Sequence, residues 1–354
     1  MLMINPGATF IAVLVSGGIY YVMKRRSLRA RWGDMRYGIM MFGAREIIHR
    51  MALDKSDDRT WKPNILVLSG VPSQRWHLVE LADAISQGTS FVTIATMLPK
   101  SSWSAERAAS LNETISQYLK KQNVQALVNI FPADDPLMGA QELIRTYGFG
   151  PIVPNTILIG ETRKVENYVE FARLIYLTLR TQRNLVIVSE GDNGNGSGPK
   201  NDDGKRIDVW WGGQSRHIFF ILALAYLLSN SSKWTGSRLM LKMIVDSEDG
   251  KEDALKKLQA FVQKERIGAE IEILVRDNRG IFDIIRDSSR DAGIVFLGLR
   301  CPEKEESPEE YSSYYQQLLA DIHDMPVTAL VLSAEDIDFQ RIFKSGVEEE
   351  VNNQ

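Results

Sequence analysis

One stretch of the sequence combines residue types that could bind a phosphorylated ligand. Residues 69–75 run Ser-Gly-Val-Pro-Ser-Gln-Arg and follow the short apolar run Ile65–Leu68. Ligands of open α/β sheets bind where parallel strands end, and a glycine there lets the backbone come close. An ordinary strand-to-helix turn is the favoured alternative for this loop. If a nucleotide such as ATP or AMP does bind, the candidate residues are Gly70, Ser73, Arg75 and Gly160.

Four other motifs have simpler structural explanations. Asp134-Asp135 could bind a cation, but carboxylates at that position more often cap a helix N-terminus. Gly148-Phe149-Gly150 precedes a strand, the wrong order for a dinucleotide-binding turn, and fits a helix C-cap followed by a turn. Ser215 lies near His217 without forming a nucleophile elbow, so it is predicted to be a helix N-cap. Trp210-Trp211 is predicted to belong to the core.

Composition excludes several classes of site. The chain has 354 residues, and its one cysteine, Cys301, excludes an intramolecular disulfide. The 4 histidines are scattered without metal-site spacing, so no metal site is predicted. A net charge of -3 gives no reason to expect nucleic acid as a partner.

The elements that must position these residues alternate between strand and helix. Ile65–Leu68 is apolar throughout and is bounded by Pro63 and by Ser69-Gly70, which predicts a strand buried on both faces. Such alternation predicts an α/β fold made of two related five-stranded, mostly parallel sheets with flanking helices, each Rossmann-like. The predicted strands are 65–68, 91–97, 126–131, 156–159 and 185–188, then 207–211, 239–245, 271–275, 294–297 and 327–332.

The N-terminal segment has a different character. Residues 1–23 carry no charged side chain and are followed at once by basic residues between 24 and 31. About 20 apolar residues can span a bilayer, and the positive-inside rule would place the remainder of the chain in the cytoplasm. A buried hairpin-like helix, or a segment foreign to the native protein, is the alternative.

An amphipathic connecting helix is predicted from 35 to 51, with an apolar face that must rest on the following domain or on a second copy of itself. Its candidate dimer-interface residues are Phe42, Ile47 and Met51. The predicted organisation is therefore a membrane-helix end at 1–23, a basic junction and connecting helix at 24–60, a first α/β half at 61–190, a glycine-rich linker at 191–205, a second half at 206–346 and an acidic tail at 347–354.

Several short motifs, in order across about residues 30 to 332, resemble the cytoplasmic C-terminal domain of the cation–chloride cotransporter family. They are Trp32-Gly33-Asp34, Trp61–Leu68, Ala133-Asp134-Asp135, Gly139-Ala140-Gln141, Pro154–Gly160 and Ile207–Trp211. Each motif is weak alone, and their joint order makes the resemblance fairly specific.

The resemblance implies two α/β halves distantly like universal stress proteins. Residues 1–23 would then end the last membrane helix, and 34–51 would cross the partner in a homodimer. Related domains bind nucleotides in some members. Gly212-Gly213 stands where animal members have a longer acidic loop, and the regulatory insert is reduced to the linker. These departures put kinase control in doubt and suggest a prokaryotic member.

The function implied by the resemblance is that of a cytoplasmic regulatory and dimerisation domain of a cation-coupled chloride cotransporter, of the Na/K/Cl symport type. Its partners would be its own transmembrane transport domain, a second copy and the membrane at its N-terminus. No transport residue is carried over, because the family's ion ligands lie in membrane helices. A nucleotide-sensing module and an α/β enzyme are the alternatives; the sequence lacks a nucleophile elbow, a phosphate loop and a metal cluster, which disfavours the enzyme.

Overall fold

A computed structural model describes residues 6–25, 32–53, 61–191, 205–212 and 215–334. The chain divides into two compact units, residues 1–55 and 56–354. Most of the predicted linker, the last residues of the predicted second half and the whole acidic tail lie outside the described residues.

The described residues of the first unit form helices α1 (Pro6–Arg25) and α2 (Trp32–Leu53). Within the described ranges, no helix has the length and apolar character needed to cross a membrane, so the predicted membrane helix at 1–23 is not shown. Apolar side chains of both helices are exposed, among them Phe10, Leu14, Met40, Phe42 and Ile47.

Helical geometry separates the residues proposed for the face of α2. Each residue turns an α-helix by about 100°, so Ile47 lies about 140° around the helix from Phe42. Ile47 and Met51 share one side of the helix with Tyr37, Met40 and Ala44, which follow at spacings of three, four, three and four residues. Phe42 points to the opposite side, together with Glu46 and His49.

The second unit has two halves with the same order of elements. The first half contains β1 (Ile65–Leu68), α3 (Trp76–Ser86), β2 (Val92–Leu98), α4 (Ala105–Lys121), β3 (Leu127–Pro132), α5 (Pro136–Thr146), β4 (Thr156–Gly160), α6 (Tyr168–Arg180) and β5 (Asn184–Ser189). The second half contains β6 (Arg206–Trp210), α7 (Ser215–Ser229), β7 (Arg238–Val245), α8 (Glu248–Glu265), β8 (Ala269–Val275), α9 (Ile281–Ser288), β9 (Ile294–Gly298), α10 (Pro308–Ile322) and β10 (Thr328–Leu332).

The strands form a single ten-stranded sheet in the order β3-β2-β1-β4-β5-β10-β9-β6-β7-β8. Neighbouring strands are parallel except β5 and β10, which pair antiparallel from Leu185–Leu332 to Ser189–Thr328. The predicted α/β class with a mostly parallel sheet is thereby confirmed. The two predicted sheets are joined into one by the pairing of β5 with β10, which satisfies the backbone groups that each strand would otherwise expose at a sheet edge.

Helices cover both faces of this sheet and build two cores. Helices α3, α4, α7 and α8 enclose one apolar cluster, and α5, α6, α9 and α10 enclose the other. On the second face, α6 and α10 join the two halves: Phe171 stacks on Tyr315 with ring centroids 5.1 Å apart, and the Tyr176 hydroxyl donates to the Glu306 carbonyl at 2.6 Å.

The carboxylates of Asp134-Asp135 cap backbone N–H groups, as the favoured interpretation predicts. The Asp135 side chain accepts from the N–H of Met138 at 2.8 Å at the start of α5, and that of Asp134 accepts from the N–H of Lys100 at 2.8 Å. Both carboxylates therefore have structural partners at this position.

Candidate functional site

Each half has a topological switch point where ligands of open α/β sheets usually bind. In the first half it lies between the carboxyl ends of β1 and β4, and in the second between those of β6 and β9. After the first strand of each half, the next two strands are added on one side of it and the last two on the other. This change of direction leaves a crevice above the carboxyl ends of the two strands where it occurs.

The structure brings together part of the predicted nucleotide site. Gly70 adopts a positive φ of 67°, and its carbonyl accepts from the Thr96 hydroxyl at 2.6 Å. Arg75 lies directly over Gly160: a Cβ on Gly160 would be 3.2 Å from a terminal guanidinium nitrogen of Arg75. Any larger residue at 160 would displace that guanidinium. Ser73 is exposed on the loop.

Ion pairs and a hydrogen bond link the segments that follow β1, β4 and β5 in the first half. The His77 Nδ1 lies 2.6 Å from a carboxylate oxygen of Glu190, and Arg163 pairs with Glu161 at 2.7 Å. Arg163 also donates to the Glu190 carbonyl at 2.6 Å. Burial lowers the pKa of the His77 imidazole, and the Glu190 carboxylate acts in the opposite direction.

The lowered pKa of His77 predicts a pH dependence of stability. The folded state binds this proton less tightly than the unfolded chain, so this contribution is complete above the ordinary pKa of 6.5 and declines as the pH falls below it. His77→Gln should flatten the fall in the urea midpoint between about pH 7 and 5. Glu190→Gln removes the carboxylate that raises the pKa of His77, so this variant should steepen the fall in the urea midpoint. Identical slopes in the unsubstituted chain and both variants would contradict the assignment.

A mainly apolar open cavity lies in the second half. It has a volume of about 520 Å³ and lies above the carboxyl ends of β6, β7 and β9, beside α7 and α9. Its walls are mainly apolar and include Trp210, Trp211, Ile218, Phe282, Leu297 and Leu318. We call it the β6–β9 cleft. Its size and lining are typical of small-molecule sites.

Two arginines stand among the residues lining the β6–β9 cleft. Arg300 makes a bidentate pair with Glu306, at 2.6 and 2.9 Å, and its guanidinium carbon lies 4.4 Å from the centre of the Tyr314 ring. This pairing lowers the pKa of the Glu306 carboxyl. Arg276 is held more loosely: its Nη1 lies 4.0 Å from the Asp246 carboxylate, and its Nε donates to the Arg279 carbonyl at 3.3 Å.

The buried His217 of the cleft has a defined tautomer. Its Nδ1 accepts from the backbone N–H of Ser333 at 3.1 Å, which places the imidazole proton on Nε2. Nε2 lies 3.5 Å from the Cys301 sulfur and therefore acts as the donor. In this arrangement His217 cannot accept the thiol proton, so the pair is not an activated nucleophile.

A buried charge network lies beneath the cleft. Lys242 on β7 is 1% exposed and pairs with Asp208 on β6 and Glu272 on β8, each at 3.0 Å. It also donates to the Ser288 carbonyl and hydroxyl at 2.9 and 2.7 Å. Arg206 pairs with the other side of Asp208 at 2.8 Å. Across the described ranges, no group of three or more His, Cys, Asp or Glu residues could hold a metal ion.

Sequence reasoning did not find the β6–β9 cleft. It interpreted Trp210-Trp211 as core, which holds for the buried Trp210, whereas Trp211 is half-buried and also lines the cavity. The repeated element order was the available signal: Gly212 follows β6 as Gly70 follows β1, and Gly298 ends β9 as Gly160 ends β4.

Comparisons with known proteins agree with this architecture. Residues 75–188 match the family model of solute carrier family 12. The fold is similar to the crystal structure of the cytoplasmic domain of a prokaryotic cation chloride cotransporter, at 15% identity and a TM-score of 0.55, over 79% of this chain and 99% of that one. It is also similar to a universal stress protein from Archaeoglobus fulgidus, at 15% identity and a TM-score of 0.53, over 78% of this chain and 98% of that one.

These two structural matches establish the fold, and the family match adds evidence from sequence over most of the first half. The resemblance to the cation–chloride cotransporter family that the motifs indicate is therefore confirmed, by a family match over residues 75–188 and by a shared fold.

Proposed function

We propose that the chain is a cytoplasmic regulatory and dimerisation domain of a cation-coupled chloride cotransporter of the Na/K/Cl type, with no catalytic activity of its own. The observation that carries the proposal is the family match over residues 75–188, because universal stress proteins share the fold. The fold match to a cotransporter's cytoplasmic domain supports it.

The proposed partners follow from the same assignment. The transport domain and the membrane would adjoin the N-terminal segment, with residues 1–23 as the end of the last membrane helix and the basic residues after it on the cytoplasmic side. A regulatory domain acts only if it contacts at least two states of its transporter with different free energies. We assign that contact to the basic junction and α2.

Dimerisation is assigned to one side of α2. Tyr37, Met40, Ala44, Ile47 and Met51 follow the three-and-four spacing of helices that pack along their length. Tyr37, Met40 and Ile47 are exposed in the single chain. Exposed apolar side chains in such a row favour a second copy as the covering surface.

Sedimentation of single variants tests this assignment. Ile47→Glu places a charge in the proposed seam and is expected to convert dimers to monomers. Phe42→Glu is the matched control on the opposite side: if two α2 helices pair through the proposed side alone, this variant stays dimeric. If the Ile47→Glu variant remains dimeric, α2 does not mediate dimerisation. If both variants are monomeric, Phe42 also belongs to the interface.

Nucleotide sensing at the first half's crevice is the second candidate, compatible with the first. The observation in its favour is that the Arg75 guanidinium lies over Gly160, and that Gly70, in the same loop as Arg75, has a positive φ. A cation in a loop that opens a helix suits a phosphate group. Isothermal titration of the full chain with ATP, ADP and AMP should then show binding that Arg75→Gln weakens. The absence of heat at millimolar nucleotide would reject this candidate and leave the first intact.

A further inference from the structure

We propose that the β6–β9 cleft binds a small organic acid with an apolar body and a single carboxylate. The inference concerns the second half and does not depend on the transporter assignment. Its basis is the combination of an apolar cavity, a loosely held arginine at its rim and a histidine whose tautomer leaves it uncharged.

The cavity determines the body of the ligand. Its volume of about 520 Å³ falls in the range of small-molecule sites, about 300–1,000 Å³. Indole and phenyl rings of Trp210, Trp211 and Phe282 and the aliphatic chains of Ile218 and Leu318 form its walls. Binding in this cavity is favourable when the ligand transfers apolar surface out of water.

The charged residues at the rim of the cleft determine which charge the ligand carries. Arg276 is 47% exposed, and its partner Asp246 is 94% exposed and 4.0 Å away, so their pairing contributes at most about 1 kcal/mol. A ligand carboxylate can replace Asp246 at little cost. Arg300 is already neutralised by its bidentate pair with Glu306. Among the described residues lining the cleft, Arg276 is therefore the cation open to exchange.

The same charges argue against a polyphosphate in this cleft. A nucleoside triphosphate carries several negative charges, and such ligands are usually held by several cations or by a glycine-rich loop at a helix N-terminus. Here Asp246 and Glu306 would repel the additional charges, and His217 is neutral. The described side chains at the rim therefore balance a ligand with one negative charge.

Calorimetric titration of the full chain with 2-naphthoate and decanoate tests the proposal. These probes share the carboxylate and distinguish a planar body from an acyl chain. We expect saturable binding of one molecule per chain for at least one of them. The neutral 2-naphthamide or decanamide should bind about fivefold more weakly, the difference expected for a part-exposed charge pair. Arg276→Gln should remove this preference, and the matched control Arg290→Gln, an exposed arginine elsewhere on the second half, should retain it.

A plugged variant distinguishes the cleft from other apolar surfaces, such as the exposed side chains of α1 and α2. A Cβ on Gly298 would have only His217 within 4 Å, with the ring Cδ2 at 3.8 Å and the Cβ at 3.9 Å, so Gly298→Leu fits locally and occupies part of the cavity. It should clearly weaken binding while the urea midpoint stays close to that of the unsubstituted chain. If the urea midpoint falls, the smaller substitution Gly298→Ala should disturb the fold less. A bulky naphthoate derivative, which needs more of the cavity, should then lose affinity for that variant.

Four results would overturn the proposal. The first three are the absence of saturable binding by either acid, unchanged affinity in the Gly298→Leu variant, and equal affinity for acid and amide. The fourth is displacement of labelled 2-naphthoate by AMP at a lower concentration than by unlabelled 2-naphthoate, which would show that the ligand class is wrong.

Discussion

Phe171→Ala is expected to lower the free energy of unfolding by about 4 kcal/mol, the loss typical of deleting a buried phenyl ring. Phe171 is 1% exposed on α6 and stacks on Tyr315 of α10, at an interplanar angle of 17°. The substitution removes apolar surface burial and leaves a cavity between the helices that join the halves. Urea denaturation, compared at the transition midpoint, measures the effect.

Two variants bracket this result. Phe171→Leu keeps most of the volume and should cost clearly less than alanine. Phe149→Ala removes the same ring from a site that is 70% exposed, and should change stability by no more than about 0.5 kcal/mol. If Phe171→Ala cost as little as Phe149→Ala, the α6–α10 contact would not be a main connection between the halves.

Lys242→Met should lower the free energy of unfolding by about 3 kcal/mol, near the lower limit for removing one member of a buried charge pair. Methionine approximates the volume of the lysine stem but leaves the fully buried Asp208 without its ammonium partner. The loss is limited because Arg206 still pairs with Asp208 at 2.8 Å, and because Glu272 is 40% exposed and can be hydrated.

A second substitution separates charge from packing. Adding Asp208→Asn to Lys242→Met removes the uncompensated charge and should recover part of the stability, since asparagine still accepts a hydrogen bond from Arg206. Lys256→Met, at an exposed pair with Glu252, is the control and should have almost no effect. Equal losses in the single and double variants would show that packing, not charge, explains the effect.

Both predictions concern supports of the β6–β9 cleft. Lys242 lies 5.6 Å from the centre of the Trp210 ring, which forms part of the cleft wall, and α10 contributes Leu318 to the same wall. Variants that lose stability at these positions should therefore also weaken any ligand bound in the cleft.

The sequence by itself determined the elements of the sheet unit. Apolar runs such as Ile65–Leu68 and Thr156–Ile159 are bounded by proline, glycine or polar residues, so strand positions agree with the structure to within about two residues. Helix starts followed equally local signals, as the Asp135 cap shows. These features depend on neighbours in the chain, which is why a pattern is sufficient to predict them.

Which apolar residues of α2 share one side of the helix is harder to infer from the sequence. The apolar residues of 35–51 recur at roughly helical spacing, which predicts Phe42, Ile47 and Met51 as interface candidates. At about 3.6 residues per turn, however, Phe42 lies on the side of α2 opposite to Ile47 and Met51. This information was present in the sequence and needed a stricter test of the period.

Only the tertiary structure decided how the halves meet and which crevice is open. The antiparallel pairing of β5 with β10 joins segments about 140 residues apart, and no local pattern specifies which strand an edge will choose. The Arg75 guanidinium lies over Gly160 and occupies part of the first crevice, while the equivalent space near Gly298 stays open between Trp211 and Phe282. The volume of a crevice depends on side chains brought together from distant elements, so identical strand order in the two halves gives two different sites.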